Sequence, residues 1–131
     1  MDNLIISPAL GLFGMAMAYL VYMLVVKYPD GEDKVKKIGD QIHTGALTFM
    51  KTEYKYLFIF MTVIVGLAWF ALGPYTAIAV VVGALCSSIA GFIGMYAATK
   101  ANVRTATAAQ KDGAAAALTV SFYGGSIMGL C

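Results

Sequence analysis

Uncharged, mostly apolar residues fill positions 4–26, 56–72, 75–99 and 114–131, and nearly all the charge falls between them. A bilayer core of roughly 30 Å needs about 20 helical residues. The pattern therefore predicts an all-α integral membrane protein with three full transmembrane helices and a truncated fourth. The second run is at the short end of what can span, and Tyr54, Tyr56, Phe58 and Phe60 place an aromatic belt at its cytoplasmic end. The third is long enough to span with tilt or to project beyond the bilayer. The fourth opens with four alanines after Lys111-Asp112-Gly113 and has no closing polar flank. From Leu118 onward it measures only about 21 Å as helix. It is expected to be an incomplete span, and the sequence a fragment of a longer polypeptide. The first run has no basic leader and exceeds the apolar length of about 7–15 residues of a signal peptide, so it is expected to be a retained helix.

The segment between the first two runs has its own periodicity. After the Pro29-Asp30-Gly31 turn, Val35, Ile38, Ile42, Ala46 and Phe49 recur at three- and four-residue steps, and Lys34, Lys36, Lys37, Asp40 and Gln41 cover much of the rest. This predicts an amphipathic cytoplasmic helix over about 32–55 that leads into the second span. Its expected role is to lie against the headgroups and position that span; contact with a cytoplasmic part of a larger protein is the alternative. Asp30, Glu32 and Asp33 fit the start of this helix, where acids favour the macrodipole. His43 has no Cys, His or acidic partner at ligand spacing and reads as a solvated or capped surface residue.

Charge placement sets the orientation. All nine basic residues lie after the first or the third run: Lys27, Lys34, Lys36, Lys37, Lys51 and Lys55, then Lys100, Arg104 and Lys111. The Gly73-Pro74-Tyr75 connection has none, and the only charge before Leu4 is Asp2. Lys and Arg accumulate on the cytoplasmic side, so the N-terminus and the short connection face outward and the charged segments face the cytoplasm. Lys55, Lys100 and Arg104 read as anchors at the membrane interface, their heads reaching for water; Lys100 and Arg104, one helical turn apart, could also meet phosphate or lipid headgroups. Composition agrees with a membrane protein: 60% of residues are hydrophobic and 12% charged, well beyond a soluble domain. Cys86 and Cys131 make no disulfide framework, and no nucleic acid is expected as a partner.

Within the spans the informative residues are small. Gly83, Ser87 and Gly91 recur every fourth residue in the third run, Ala90, Gly94 and Ala98 form a neighbouring stripe, and Gly125 and Gly129 repeat the spacing in the fourth, as Gly14 and Ala18 do in the first. Small residues let membrane helices approach closely, so Gly83, Ser87, Gly91, Gly94, Gly125 and Gly129 are candidates for helix packing. No Asp, Glu, Lys, Arg or His lies within the four runs, which argues against a conduction path made by them alone. No phosphate-binding loop of the Walker type is present, and no cluster of carboxylates such as a site for several Mg²⁺ ions would need. No catalytic, cofactor-binding or metal-binding residue is assigned.

Three blocks go further. GEDKVKKIGDQIHTGALTFMKTEY (31–54), AGFIGMYAATKANVRTA (90–106) and ALTVSFYGGSIMGL (117–130) resemble, in order and spacing, the beginning of the membrane-bound, ion-translocating pyrophosphatases. Thr48 and Met50 stand where that family typically has alanine and leucine. The resemblance implies two concentric rings of helices, with these residues in the outer ring of a homodimeric pump. It implies coupling of Mg²⁺-pyrophosphate hydrolysis to proton or sodium transport, an outward N-terminus, and location in a bacterial inner membrane. The family's acid-rich substrate motif, Asp-x7-Lys-x-Glu, matches no position here, so the expected role of this stretch is structural, packed in lipid against the remaining helices. A complete small membrane protein without enzymatic activity, or a transporter subunit, is the alternative.

Overall fold

The computed structural model describes residues 3–131; Asp2, expected on the outer side, lies outside them. Four helices follow one another: α1 (Asn3–Lys27), α2 (Asp33–Leu72), α3 (Pro74–Asp112) and α4 (Ala114–Leu130). The protein is an all-α membrane protein. Its first three helices are long and apolar enough to cross a bilayer, and the fourth is shorter.

Single glycines make the two sharp reversals. Gly73 (φ +91°) joins α2 to α3, and Gly113 (φ +87°) joins α3 to α4. Only glycine adopts this backbone region without strain. Pro74, at the start of α3, needs no backbone donor there. The charged segment after position 99 is the continuation of α3 to Asp112. Its alanines and long side chains favour helix, and no glycine or proline interrupts it before Gly113.

α3 is the centre of the molecule. It packs against α1, α2 and α4, whereas among the described residues α2 packs on α3 alone. α1, α3 and α4 share a buried cluster of Ala18, Val25, Ala97, Ala101 and Ile127, bordered by Tyr22, Ile93 and Tyr123. The small side chains let backbones approach: a Cβ on Gly124 would collide with the Cβ of Ala101, and one on Gly94 would lie 2.7 Å from Met128 Cγ. The alanines that open α4 run beside the far end of α3, because the α3–α4 pair folds back directly at Gly113.

The helix expected over about 32–55 forms one element with the second span. α2 runs unbroken for 40 residues, about 60 Å, and its packing face differs from the apolar stripe read from sequence. Gly39, His43, Met50 and Tyr54 turn toward α3, while Ile38, Ile42 and Phe49 are exposed at 57%, 46% and 59%. Close approach and hydrogen bonding, rather than side-chain hydrophobicity, select the face that meets α3.

Gly124→Leu is expected to break the α3–α4 contact, costing roughly 1–3 kcal/mol through overpacking. The adjacent Gly125→Leu, where an added Cβ meets nothing within 4 Å, is expected to be tolerated in this chain. Unfolding of both variants in mild detergent, followed by circular dichroism, measures the difference; equal midpoints would contradict the packing described.

Candidate functional site

The polar side chains of this chain converge where the α1–α2 linker meets α3. Pro29 and Gly31 turn the chain after α1, with Gly31 at φ +87°. That turn lays Asp30 over α3, so close that a Cβ on Gly31 would collide with Thr107 Oγ1. Arg104, only 7% exposed, holds the turn with its whole guanidinium. Nη2 lies 2.6 Å from Asp30 Oδ1, Nε donates to the Tyr28 carbonyl at 3.1 Å, and Nη1 donates to the Lys100 carbonyl at 2.8 Å. A planar fork of five donors suits three acceptors in different directions as no lysine can.

One turn up α3, Gly39 of α2 meets Val103, and beyond it His43 Nδ1 lies 2.6 Å from Thr99 Oγ1. The Thr99 hydroxyl donates to the Tyr96 carbonyl at 2.9 Å. With its single proton used there, the bond to His43 requires Nδ1–H as donor. The imidazole stands edge-on to Tyr96, centroids 5.0 Å apart, and Tyr96 also neighbours Tyr22 of α1. Farther along, the Tyr54 hydroxyl donates to the Ser88 carbonyl at 2.5 Å. Among the described residues no buried side-chain polar atom lacks a partner.

What this constellation can do chemically follows from its size. The space between Asp30, Lys36, Asp40, His43, Lys100 and Arg104 is about 30 Å³, enough for about one water and far too small for a diphosphate. Among the described residues no three of His, Cys, Asp and Glu come together as metal ligands. The arrangement is a lock between the linker, α2 and α3.

Several expectations change. Arg104 is not a lipid-facing anchor; the turn at Pro29-Gly31 brings Asp30 to it, and pairing removes the reason to reach for water. Asp30 accordingly serves Arg104 rather than the start of α2, where Asp33 alone occupies the first turn. His43 is not a solvated surface residue, because α3 supplies Thr99 and Tyr96. Lys100 is half-buried and Lys55 exposed. Of the packing candidates, Gly94 meets Met128 and Gly91 lies by the Tyr54 hydroxyl at 3.5 Å, while an added Cβ on Gly83, Gly125 or Gly129 meets nothing within 4 Å; Ser87 is exposed. Asp30 and Arg104 are too far apart in sequence for any local periodicity to pair them.

The sequence pattern of the inorganic H⁺ pyrophosphatase family matches residues 12–131. Among curated proteins, the chain is 38% identical over 122 residues to a K⁺-stimulated pyrophosphate-energized sodium pump of Thermotoga maritima, covering 91% of this chain and 16% of that protein. It is 35% identical over 133 residues to a K⁺-insensitive pyrophosphate-energized proton pump of Methanosarcina mazei, covering 99% of this chain and 20% of that protein. The chain thus spans about a fifth of the length of the relatives it matches.

Arg104→Met is expected to destabilise the fold by roughly 2–3 kcal/mol, mostly the cost of leaving the Tyr28 and Lys100 carbonyls unmatched. Asp30→Asn is expected to cost less, about 1–2 kcal/mol, because the aspartate side chain is 41% exposed and water screens it. Arg104→Lys is not expected to rescue. Reversible unfolding of the three variants in mixed micelles ranks them; an Arg104→Lys variant as stable as the parent would contradict the three-acceptor lock.

Proposed function

We infer that this chain, which belongs to the inorganic H⁺ pyrophosphatase family, is the N-terminal part of a membrane pump that couples pyrophosphate hydrolysis to the transport of protons or sodium ions. The observation that carries this reading is similarity along nearly the whole chain to proteins named as pyrophosphate-energized pumps of both ions. The whole protein is an ion-translocating pyrophosphatase, and these four helices supply scaffold in its outer ring. A centre built of alanine, glycine and hydrogen-bonded polar residues suits that role, since it holds helices in place.

The whole pump works as a homodimer in a bacterial inner membrane, with the N-terminus outside and the charged ends of α2 and α3 in the cytoplasm; the placement of lysine and arginine supports this orientation. Magnesium, implied by the chemistry of a pyrophosphate substrate, finds no fitting donor set here. Asp30 is occupied by Arg104, and no three candidate ligands converge among the described residues. No step of hydrolysis is therefore derived through these residues.

Two measurements test the reading. The complete protein encoded by the reading frame containing these residues, in inverted membrane vesicles, is expected to release phosphate from pyrophosphate and accumulate protons or sodium with it. Residues 1–131 alone are expected to do neither, and a complete protein without pyrophosphate-driven uptake overturns the function. For orientation, an impermeant maleimide added outside intact cells is expected to reach Tyr75→Cys and miss Lys37→Cys. The reverse labelling overturns the topology.

A further inference from the structure

We propose that Lys51 and Lys55 of α2 lie within the bilayer rather than at its cytoplasmic edge, and that they receive the carboxylate of another membrane-spanning helix. The argument begins with register. Gly39 meets Val103, His43 meets Thr99, and Tyr54 meets Ser88. All three pairs are centred on the same point of the chain, so α2 and α3 run antiparallel without slippage. Lys51 is therefore level with Gly91, and Lys55 with Ser87. Ser87 is the middle of the uncharged stretch 75–99 of α3. Lys55 and Lys100 cannot then mark the same membrane boundary: they stand about 20 Å apart along the α2–α3 pair.

Two other helices decide which lysine marks it. α1 is uncharged up to Lys27, and the carbonyl of the next residue, Tyr28, accepts from Arg104, so α1 leaves its apolar run near the level of Lys100. Over that length its outer face carries large apolar side chains, with Leu20 56% and Met23 46% exposed. α4 presents Phe122 and Met128, at 73% and 58%, beside the same part of α3. A boundary at Lys55 would put all of these in water and leave too little of α1 to span. The boundary lies near Lys100, and Lys51 and Lys55 lie about 14 and 20 Å inside it.

At that depth a lysine is costly unless paired or hydrated, and its stem is too short to reach the headgroups. Lys51 and Lys55 are one turn apart on one exposed stripe of α2 that also carries Thr44 and Thr48. Both threonine hydroxyls donate back to their own helix, so the lysines are the free donors on the stripe. Their mutual repulsion favours an anion between them. Glu53 cannot serve, because two residues' rotation from either lysine carries it across the helix, where it lies with Phe49, Tyr56 and Phe60. Among the described residues no carboxylate pairs with either lysine. The complementary occupant is a second transmembrane helix carrying Asp or Glu at this depth. This assignment does not depend on the pump reading.

Both halves of the proposal are measurable on the chain in lipid bilayers. With Cys86→Ala and Cys131→Ala as background, spin labels on Thr52→Cys and Ile89→Cys are expected to report the same immersion depth, well below a label on Lys37→Cys. A Thr52 label as accessible to an aqueous relaxation agent as the Lys37 label overturns the placement. For the partner, energy transfer is measured between the labelled chain and synthetic leucine-rich transmembrane peptides with one central Glu or Gln, in neutral-lipid vesicles at slightly alkaline pH. The Glu peptide is expected to associate about tenfold more tightly, the order expected of a polar contact inside a bilayer. Lys51→Met with Lys55→Met is expected to remove the difference while the depth reading at position 52 certifies insertion. Equal association of the Glu and Gln peptides overturns the pairing. So does association that follows added anionic lipid and ignores the peptide's charge.

Discussion

Helices surrounded by lipid gain almost nothing by hiding apolar surface from one another, so this fold depends on how closely other helices can approach α3. Ala97, Ala101 and Gly94 give α3 a surface low enough for α1 and α4 to reach its backbone, and dispersion then acts over the whole contact. The buried residues are small for that reason. Large apolar side chains such as Leu12, Phe58 and Phe70 point outward, the reverse of a soluble core, because lipid solvates them as well as protein would.

Close approach also explains the polar chemistry. Once the α1–α2 linker and α2 stand within hydrogen-bonding range of α3, polar groups between them must be paired, and among the described residues Arg104 pairs with Asp30 and two carbonyls, His43 with Thr99 and Tyr54 with Ser88. These contacts fix register more sharply than methyl groups would. One register, held over Gly39–Val103 through Tyr54–Ser88, determines the depth of every other residue on α2 relative to α3. It sets Lys51 and Lys55 level with Gly91 and Ser87 in the uncharged stretch of α3, although Lys55 was expected at the interface.

In the proposed pump, chemistry on a highly charged substrate and ion passage would both require preorganised groups elsewhere in the protein, and closely packed helices of this kind would keep those groups in place. The lock at Arg104 ties the α1–α2 linker, α2 and α3 to one another at the expected cytoplasmic level.

The amino-acid sequence by itself determined the class of the protein, the existence of its long apolar helices and its family. Uncharged length and the basic clusters are local properties that bilayer thickness and peptide geometry convert directly into structure, and blocks such as ATKANVRTA carry the resemblance to the family. It also carried the continuity of the amphipathic segment into the second span. What it left open was which face of each helix meets another. Gly124 and Gly125 are neighbours with the same side chain, yet only the first lies against Ala101. The apolar stripe of Ile38, Ile42 and Phe49 stays exposed, while Gly39, His43, Met50 and Tyr54 turn toward α3. Asp30 and Arg104 became partners only when the turn at Gly31 folded one over the other. Such choices depend on the relative rotation and sliding of whole helices, which residues distant in sequence settle together, and tertiary structure alone records them.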